Sequence, residues 1–127
     1  MFEQDYIMRV IKEMIRTILK LLFNVDTDTP TEELLTKIEQ RENLDYLIDL
    51  VDNGNINEAE NKIYELVSDK DMETLKTALL FYSYLNDKTD DFLRENNFSR
   101  EEIKDGLKGL ISKYGLGNLT DIFLTKF

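Results

Sequence analysis

Apolar and polar positions repeat with the period of a helix along most of the chain, and the longest such pattern lies at its beginning. Residues 1–23 contain neither glycine nor proline, and their charged side chains recur three or four residues apart. Side chains at that spacing share one face of a helix, so the pattern predicts a helix from Met1 to Phe23. Its apolar arc is wider than the roughly 100° stripe of an ordinary surface helix.

Three environments would cover so wide an apolar arc. The interpretation that we favour is a central helix surrounded by the rest of the chain. The alternatives are an interface with another protein or a second copy, and a membrane surface. A membrane-spanning segment is not expected, because it needs about 20 predominantly apolar residues and charges recur here at every turn. A secretory signal is not expected either, since Glu3 and Asp5 occupy the place of its basic leader.

The remainder of the chain is predicted to form short helices joined by polar turns. Pro30 and the acidic residues after it indicate a helix start. Residues 31–53 form either one helix or two, and a polar run favours a break near Glu42–Asn43. Gly54 is predicted to cap a helix end in the left-handed conformation, and Asn57 to cap the start of the next helix.

Apolar side chains at helical spacing give each predicted helix its buried face. These positions are Leu34, Leu35, Ile38, Leu44, Leu47, Ile48, Val51, Ala59, Ile63, Leu66, Val67, Met72, Leu75, Ala78, Leu79, Tyr82, Leu85, Phe92, Leu93, Ile103, Leu107, Leu110, Ile111 and Tyr114. A short terminal helix is suggested by Leu119, Ile122, Phe123 and Phe127. No stretch alternates with period two for long enough to form a strand.

The last long predicted helix has a capping-box pattern at its start and two glycines in its interior. Ser99 and Glu102 have the spacing of a capping box, in which each side chain satisfies a free backbone N–H at the helix start. Gly106 and Gly109 lie three residues apart in this helix, where they either allow a neighbouring helix to come close or weaken it.

The predicted fold is therefore all-α, with six to eight helices in a single domain of residues 1–127. Antiparallel helical hairpins, either tetratricopeptide-like or forming an irregular bundle, are expected to pack around the long N-terminal helix. Residues 44–67 resemble one tetratricopeptide hairpin, with Gly54 at the turn and Ala59 at the helix crossing. About 34 residues later Lys88 and Leu93 replace that glycine and alanine, so no repeat array is predicted and a generic hairpin is favoured.

Charge and composition narrow the range of partners. The net charge is −10, and because the first 23 residues carry +1, residues 24–127 carry −11. Such acidity repels phosphate backbones, so nucleic-acid binding is not expected, and a membrane partner is disfavoured for the same reason. The chain has no cysteine and therefore no disulfide, which favours the cytoplasm.

The sequence offers little to catalysis or metal binding. With neither histidine nor cysteine, the usual catalytic dyads and triads, zinc sites and haem sites lack their main groups. The run beginning at Asp26 fails as a calcium loop, because Pro30 occupies a ligand position and Lys37 replaces the closing glutamate. Adjacent carboxylates are explained by helix starts. We therefore predict no catalytic residue, no metal ligand and no cofactor.

The opening FEQDYIMRVIKEMIRTILKLLF, the turn DNGNINEAEN and the tail FSREEIKDGLKGLISKYGL resemble a small bacterial family, found mainly among Firmicutes, that is catalogued as a domain of unknown function. The resemblance implies a cytoplasmic helical protein with tetratricopeptide-like hairpins, and it supplies no catalytic residues.

Candidate interaction residues come from two places in the chain. Polar residues at the head of the first helix either border a groove or simply solvate the helix start, and these are Gln4, Asp5, Tyr6 and Arg9. Tyr82 and Tyr84 follow Phe81 in one helix, and since adjacent aromatics cannot all face the same way, one is expected near the surface or at a helix seam.

The leading hypothesis is a protein–protein interaction or scaffolding module whose partner is another protein or a second copy in a homodimer. A peripheral membrane regulator that uses the first helix is the alternative. A carboxylate-dependent enzyme or ligand binder is the third hypothesis.

Overall fold

The computed structural model describes residues 2–26 and 28–119, except for the side chains of Phe2, Glu3, Gln4, Thr31 and Glu32. In these ranges the chain forms helices and no strand, so the all-α class is confirmed. The helices are α1 (Phe2–Phe23), α2 (Thr31–Leu34), α3 (Ile38–Asp52), α4 (Ile56–Leu66), α5 (Met72–Asn86), α6 (Asp90–Glu95) and α7 (Arg100–Lys113), with a 3₁₀ turn at Val67–Asp69 after α4. Residues 117–119 are also helical, and the rest of the predicted terminal helix lies outside the described residues.

The centre of the fold is α5, whereas the sequence pattern places α1 there. Nine of the fifteen residues of α5 are buried, and it packs against α1, α3 and α7. Phe81 and Tyr82, which are adjacent in this helix, are both fully buried. A helix can bury two adjacent aromatic side chains only when it has neighbours on more than one side, which is the position that α5 occupies.

In contrast, α1 is buried along one face. That face packs on α5 and α7 and consists of Val10, Ile11, Met14, Ile15, Ile18 and Leu19. The opposite stripe is exposed and consists of Asp5, Arg9, Lys12, Glu13, Arg16 and Lys20. Leu21 keeps 64% of its surface exposed, but most of the wide apolar arc is covered by the chain itself.

Residues 31–53 form two helices, but the predicted break near Glu42–Asn43 is wrong. The break lies at residues 35–37, where Leu35 is fully buried. The carbonyl oxygens exposed by this break are satisfied by side chains: the Arg41 Nε donates to Leu35 O (2.8 Å), and the Lys76 Nζ donates to Leu34 O (2.9 Å). Such bonds replace the helical ones that a break leaves open. The sequence alone could not reveal them, because Lys76 comes from α5.

The break was predicted at the wrong place because the polar residues of this run lie on two different faces of the continuous helix α3. Gln40 is buried, and its Oε1 accepts a 2.7 Å hydrogen bond from the Thr77 hydroxyl of α5. Ile38, which we predicted to be buried, is instead 68% exposed on the opposite face. The predicted core residues Leu44, Leu47 and Val51 are buried, as expected from their spacing.

Left-handed residues end four of the helices, and Asn24 after α1 is one of them, with a φ of +55°. Gly54, Asn97 and Gly115 have positive φ, at +84°, +56° and +75°, after α3, α6 and α7 respectively. At each, its own N–H and the N–H of the next residue donate to carbonyl oxygens in the last turn of the helix, as in a Schellman motif. The prediction for Gly54 is therefore confirmed.

The helix starts agree with the sequence only in part. The Ser99 hydroxyl accepts a 3.2 Å hydrogen bond from the Glu102 N–H, which confirms the predicted cap of α7. The Glu102 carboxylate accepts from the Ser99 hydroxyl instead of from its backbone, so the capping box is incomplete. The predicted N-cap at Asn57 is wrong, because α4 begins earlier, at Ile56, and the buried side chain of Ile56 fixes that start.

Candidate functional site

The interaction residues predicted near the N-terminus lie along the first turns of α1. Asp5, Tyr6 and Arg9 are on its exposed side, and Tyr6 keeps 37% of its surface exposed. Gln4 lies in the same helix, with its side chain outside the described part of the chain. Tyr82, in contrast, is fully buried, so the predicted set does not form one surface.

Tyr84 belongs to a cluster that ties together the ends of α3, α5 and α6. Its hydroxyl donates to Asp52 Oδ1 at 2.6 Å, and the Lys88 Nζ donates to the same oxygen at 2.7 Å. The Lys88 ammonium also lies 4.8 Å from the Tyr84 ring centroid and 4.9 Å from that of Phe92. Hydrogen bonds from Lys88 and Tyr84 lower the pKa of Asp52, and the Asp52 carboxylate raises the pKa of Lys88. The charges of this cluster are therefore already matched within the chain.

Tyr82 faces inward and lies at the seam between three helices. Its side chain is fully buried, and its hydroxyl donates a 2.7 Å hydrogen bond to Glu60 Oε2 of α4. The Tyr64 hydroxyl, also from α4, donates to Gly106 O of α7 at 2.9 Å. Burial raises the pKa of the Glu60 carboxyl and of the Tyr82 hydroxyl. Tyr82 therefore stabilises the interior and offers no surface to a partner.

The glycines of α7 make room for these tyrosines, as one of the two sequence interpretations held. A Cβ on Gly106 would lie 2.2 Å from Glu60 Oε2 and 2.6 Å from the Tyr82 Oη. A Cβ on Gly109 would lie 2.9 Å from the Tyr64 Oη. Both glycines thus allow α7 to approach the polar ends of side chains from α4 and α5.

Arg100 is a buried cation that the sequence gave no reason to notice. It is only 2% exposed, and its guanidinium donates to Asn86 O and Lys88 O, both at 2.6 Å, and to Asp90 Oδ1 at 3.2 Å. The Asn86 Nδ2 in turn donates to Met8 O of α1 at 2.9 Å. This network satisfies the open carbonyl groups at the end of α5, so its role is to hold α1, α5, α6 and α7 together.

An open groove of about 770 Å³ lies where α6 turns into α7. Leu93 and Phe98 form its apolar part, and its rim is acidic. Two of the three rim carboxylates have cationic partners, since Asp90 pairs with Arg100 and Asp91 with Arg94, and the third, Glu102, accepts a hydrogen bond from the Ser99 hydroxyl. The groove therefore presents little uncompensated charge to a ligand.

The outer face of α3 is different, because its carboxylates are unpaired. Glu42, Asp45 and Asp49 are exposed and recur three and four residues apart, which places them in one row along the helix. Among the residues that the structure describes, no ion pair involves any of them or Glu39. We call the surface formed by Ile38, Glu42, Asp45, Tyr46 and Asp49 the α3 outer face.

Two large apolar side chains stand within this acidic row. Ile38 is 68% exposed and Tyr46 is 50% exposed, and they lie two turns apart on the same side of α3. The sequence interpretation missed this surface because it counted Ile38 as core and treated the acidic residues as solvated. The usable signal was the spacing of Glu42, Asp45 and Asp49 opposite the apolar stripe of the same helix.

Neither a metal centre nor a membrane span is found in the part of the chain that the structure covers. Within residues 2–26 and 28–119, no group of three or more acidic side chains is placed to hold a metal ion. No helix described there is long and apolar enough to cross a membrane. The chemistry that the α3 outer face does offer is non-covalent: anchoring by two apolar side chains and attraction of positive charge.

Comparison with known proteins supplies a family but no activity. No curated protein and no solved structure matches the chain significantly. A family model does match, over residues 1–115, which include all of α1 to α7. The resemblance of the opening, the turn and the tail to a domain of unknown function is thereby confirmed at the level of the family. The chain belongs to the family of unknown function DUF6483.

Proposed function

We propose that this protein is an interaction module of the cytoplasm that binds a basic helical segment of a partner protein on the α3 outer face. The observation that carries the proposal is the exposure of Ile38 and Tyr46 within a row of unpaired carboxylates. Binding surfaces combine apolar anchors, aromatic ones above all, with a polar rim. The α3 outer face has that composition.

The charge of this face supports a basic partner. Glu42, Asp45 and Asp49 form no ion pair with a described residue, so a bound cation or added salt would reduce their mutual repulsion. A partner with lysine or arginine at matching positions would gain attraction during encounter as well as in the complex. An acidic partner would be rejected.

The shape of this face supports a helical partner. A row of side chains three and four residues apart forms a ridge, and ridges of this kind pack into the grooves of another helix. Because α3 and α4 form the hairpin that resembles a tetratricopeptide unit, we interpret them as the scaffold that presents this ridge. The membrane hypothesis has less support, since most apolar side chains of α1 face the core.

Two designed helical peptides test the proposal. Both carry leucine and tyrosine two turns apart, and one has lysine at its remaining positions where the other has glutamate. Isothermal titration at low salt is expected to show binding of the basic peptide with a Kd on the order of 10 μM, weakening as salt is added, and no binding of the acidic one. Absence of binding by the basic peptide would contradict the proposal.

Variants then locate the binding surface. Ile38→Ala combined with Tyr46→Ala is expected to weaken binding by roughly tenfold or more, as for the loss of two anchors. Glu42→Lys combined with Asp49→Lys is expected to abolish it. The matched control is Glu95→Lys with Asp105→Lys, which changes the net charge equally at exposed positions elsewhere. Equal losses in the charge variant and its control would show that total charge, and not this face, controls binding.

A further inference from the structure

The outer face of α1 has the opposite charge to the α3 outer face. Arg9, Lys12, Arg16 and Lys20 are exposed along one stripe, which also carries Asp5 and Glu13 and so has a net charge of +2, in a protein whose net charge is −10. Arg16 pairs with Glu13 of its own helix at 2.8 Å. No ion pair between described residues involves the other three cations. We call this stripe the α1 basic face.

The two faces match in spacing as well as in sign. The cations at positions 9, 12 and 16 repeat three and then four residues apart, and so do the carboxylates at positions 42, 45 and 49. Helices laid side by side bring such rows into contact at successive turns, so several pairs of opposite charge form at once. Ile38 and Tyr46 on α3 add apolar surface to the same contact.

Within one chain the two faces do not meet. Both α1 and α3 pack against α5, and each turns its buried side toward the core and its charged side outward. A basic stripe with the required spacing therefore exists on every copy of the protein, and it can reach an acidic row only on another copy.

We infer that the α1 basic face of one copy docks on the α3 outer face of a second copy, so that copies associate head to tail. This inference rests on the proposed function, because it names a second copy as the basic helical partner. The contact is heterologous, since two different surfaces meet, and repetition of it produces either a ring or an open chain. Exposed ion pairs are individually weak and screened by salt, so the association is weak and dependent on ionic strength.

Solution mass as a function of salt is the first test. We expect a Kd of roughly 1 mM for each contact. Sedimentation velocity at about 20 mM salt and roughly 0.5 mM protein should then give a weight-average mass at least about 1.5 times that of the 15.0 kDa monomer. At about 500 mM salt, where charges are screened beyond a few ångströms, the monomer mass is expected. A monomer under both conditions would overturn the inference. Association that increases with salt would also overturn it, because salt then only screens the repulsion between two copies of an acidic protein.

Charge reversal identifies the surfaces. Arg9→Glu with Lys20→Glu makes both faces acidic, and Glu42→Lys with Asp49→Lys makes both basic, so each variant alone is expected to be monomeric. An equimolar mixture of the two is expected to associate again, because each face then meets its opposite. A mixture that stays monomeric would overturn the inference.

A control and a second binding measurement complete the experiment. Lys70→Glu with Lys108→Glu changes the net charge as much as the α1 variant does, at exposed positions away from both faces, and is expected to associate like the wild type. If the wild type stays monomeric but binds the designed basic peptide, the inference fails and the proposed function stands. If it stays monomeric and floats with phosphatidylserine vesicles in a manner that requires Arg9 and Lys20, the basic face binds anionic lipid and the inference fails.

Discussion

The Tyr82 hydroxyl of α5 donates a 2.7 Å hydrogen bond to the Glu60 carboxylate of α4, and Gly106 of α7 lies directly against both groups. Because Tyr82 is fully buried, it cannot swing out into solvent to relieve crowding. The three helices are thus fitted together around one polar contact that accepts no extra atom.

Gly106→Ala should therefore destabilise the protein. Overpacking of a buried site costs about 1–3 kcal/mol, and the better helix propensity of alanine returns about 1 kcal/mol of that. The control is Gly109→Ala, whose added Cβ meets only the Tyr64 hydroxyl and whose own site is exposed. Denaturant unfolding of both variants measures the difference, and a Gly106→Ala protein as stable as Gly109→Ala would contradict the packing described for this seam.

Glu60→Gln tests the electrostatics of the same contact. Burial raises the pKa of the Glu60 carboxyl above its ordinary value of 4.5, so the folded state holds its proton more tightly than the unfolded state. The stability from this group is complete below the ordinary pKa and is lost as pH rises through the raised folded pKa. The wild type minus variant difference in unfolding free energy should accordingly decrease as the pH rises above the ordinary value of 4.5. A difference that increases with pH would show that Glu60 is instead stabilised as the anion.

Arg100→Leu should be among the most damaging single changes in α7. It leaves Asn86 O and Lys88 O without their 2.6 Å donors, and each orphaned buried group costs roughly 1–3 kcal/mol. Arg94→Leu is the surface control, since the Arg94–Asp91 ion pair is exposed and such pairs contribute at most about 1 kcal/mol. Thermal and denaturant unfolding of the two variants should differ clearly, and similar losses would contradict the structural role of Arg100.

Gly54→Ala and Gly115→Ala separate backbone strain from steric crowding. Both glycines have positive φ, which costs other residues roughly 1 kcal/mol. At Gly54 an added Cβ would also lie 2.3 Å from Asn96 Oδ1, whereas at Gly115 no atom lies within 4 Å. Gly54→Ala should therefore lower the unfolding free energy more than Gly115→Ala does, and the reverse order would contradict the close contact with Asn96.

Much of the fold was predictable because local rules decide it. The spacing of apolar residues located the buried faces of α3, α5 and α7, and the left-handed turn at Gly54 follows from the backbone freedom of glycine. The predictions that were wrong concern features that depend on residues far away in the sequence. Lys76 of α5 donates a hydrogen bond to the backbone at the break before α3. The central position of α5 results from its packing against three helices, and a local sequence pattern does not show which helix has the most neighbours.

The candidate surface was harder to predict than the fold. An acidic row on a helix is usually only solvated, and its interest here comes from Ile38 and Tyr46 remaining uncovered within it. Whether a side chain such as Ile38 is covered depends on where neighbouring helices end, which the sequence does not state. Tyr82 shows the opposite case, because its spacing placed it on the buried face and the aromatic cluster made it a candidate interaction residue, and in the structure it is fully buried.

Amide chemical-shift mapping of the labelled protein with the designed basic helical peptide tests the central claim most directly. The proposal predicts that the shifts saturate with peptide and concentrate on α3, at Ile38, Tyr46 and the carboxylate residues between and beside them. They should be absent with the acidic peptide. Shifts that spread evenly over the surface, or that centre on the α6–α7 groove, would contradict the assignment of the α3 outer face as the binding surface.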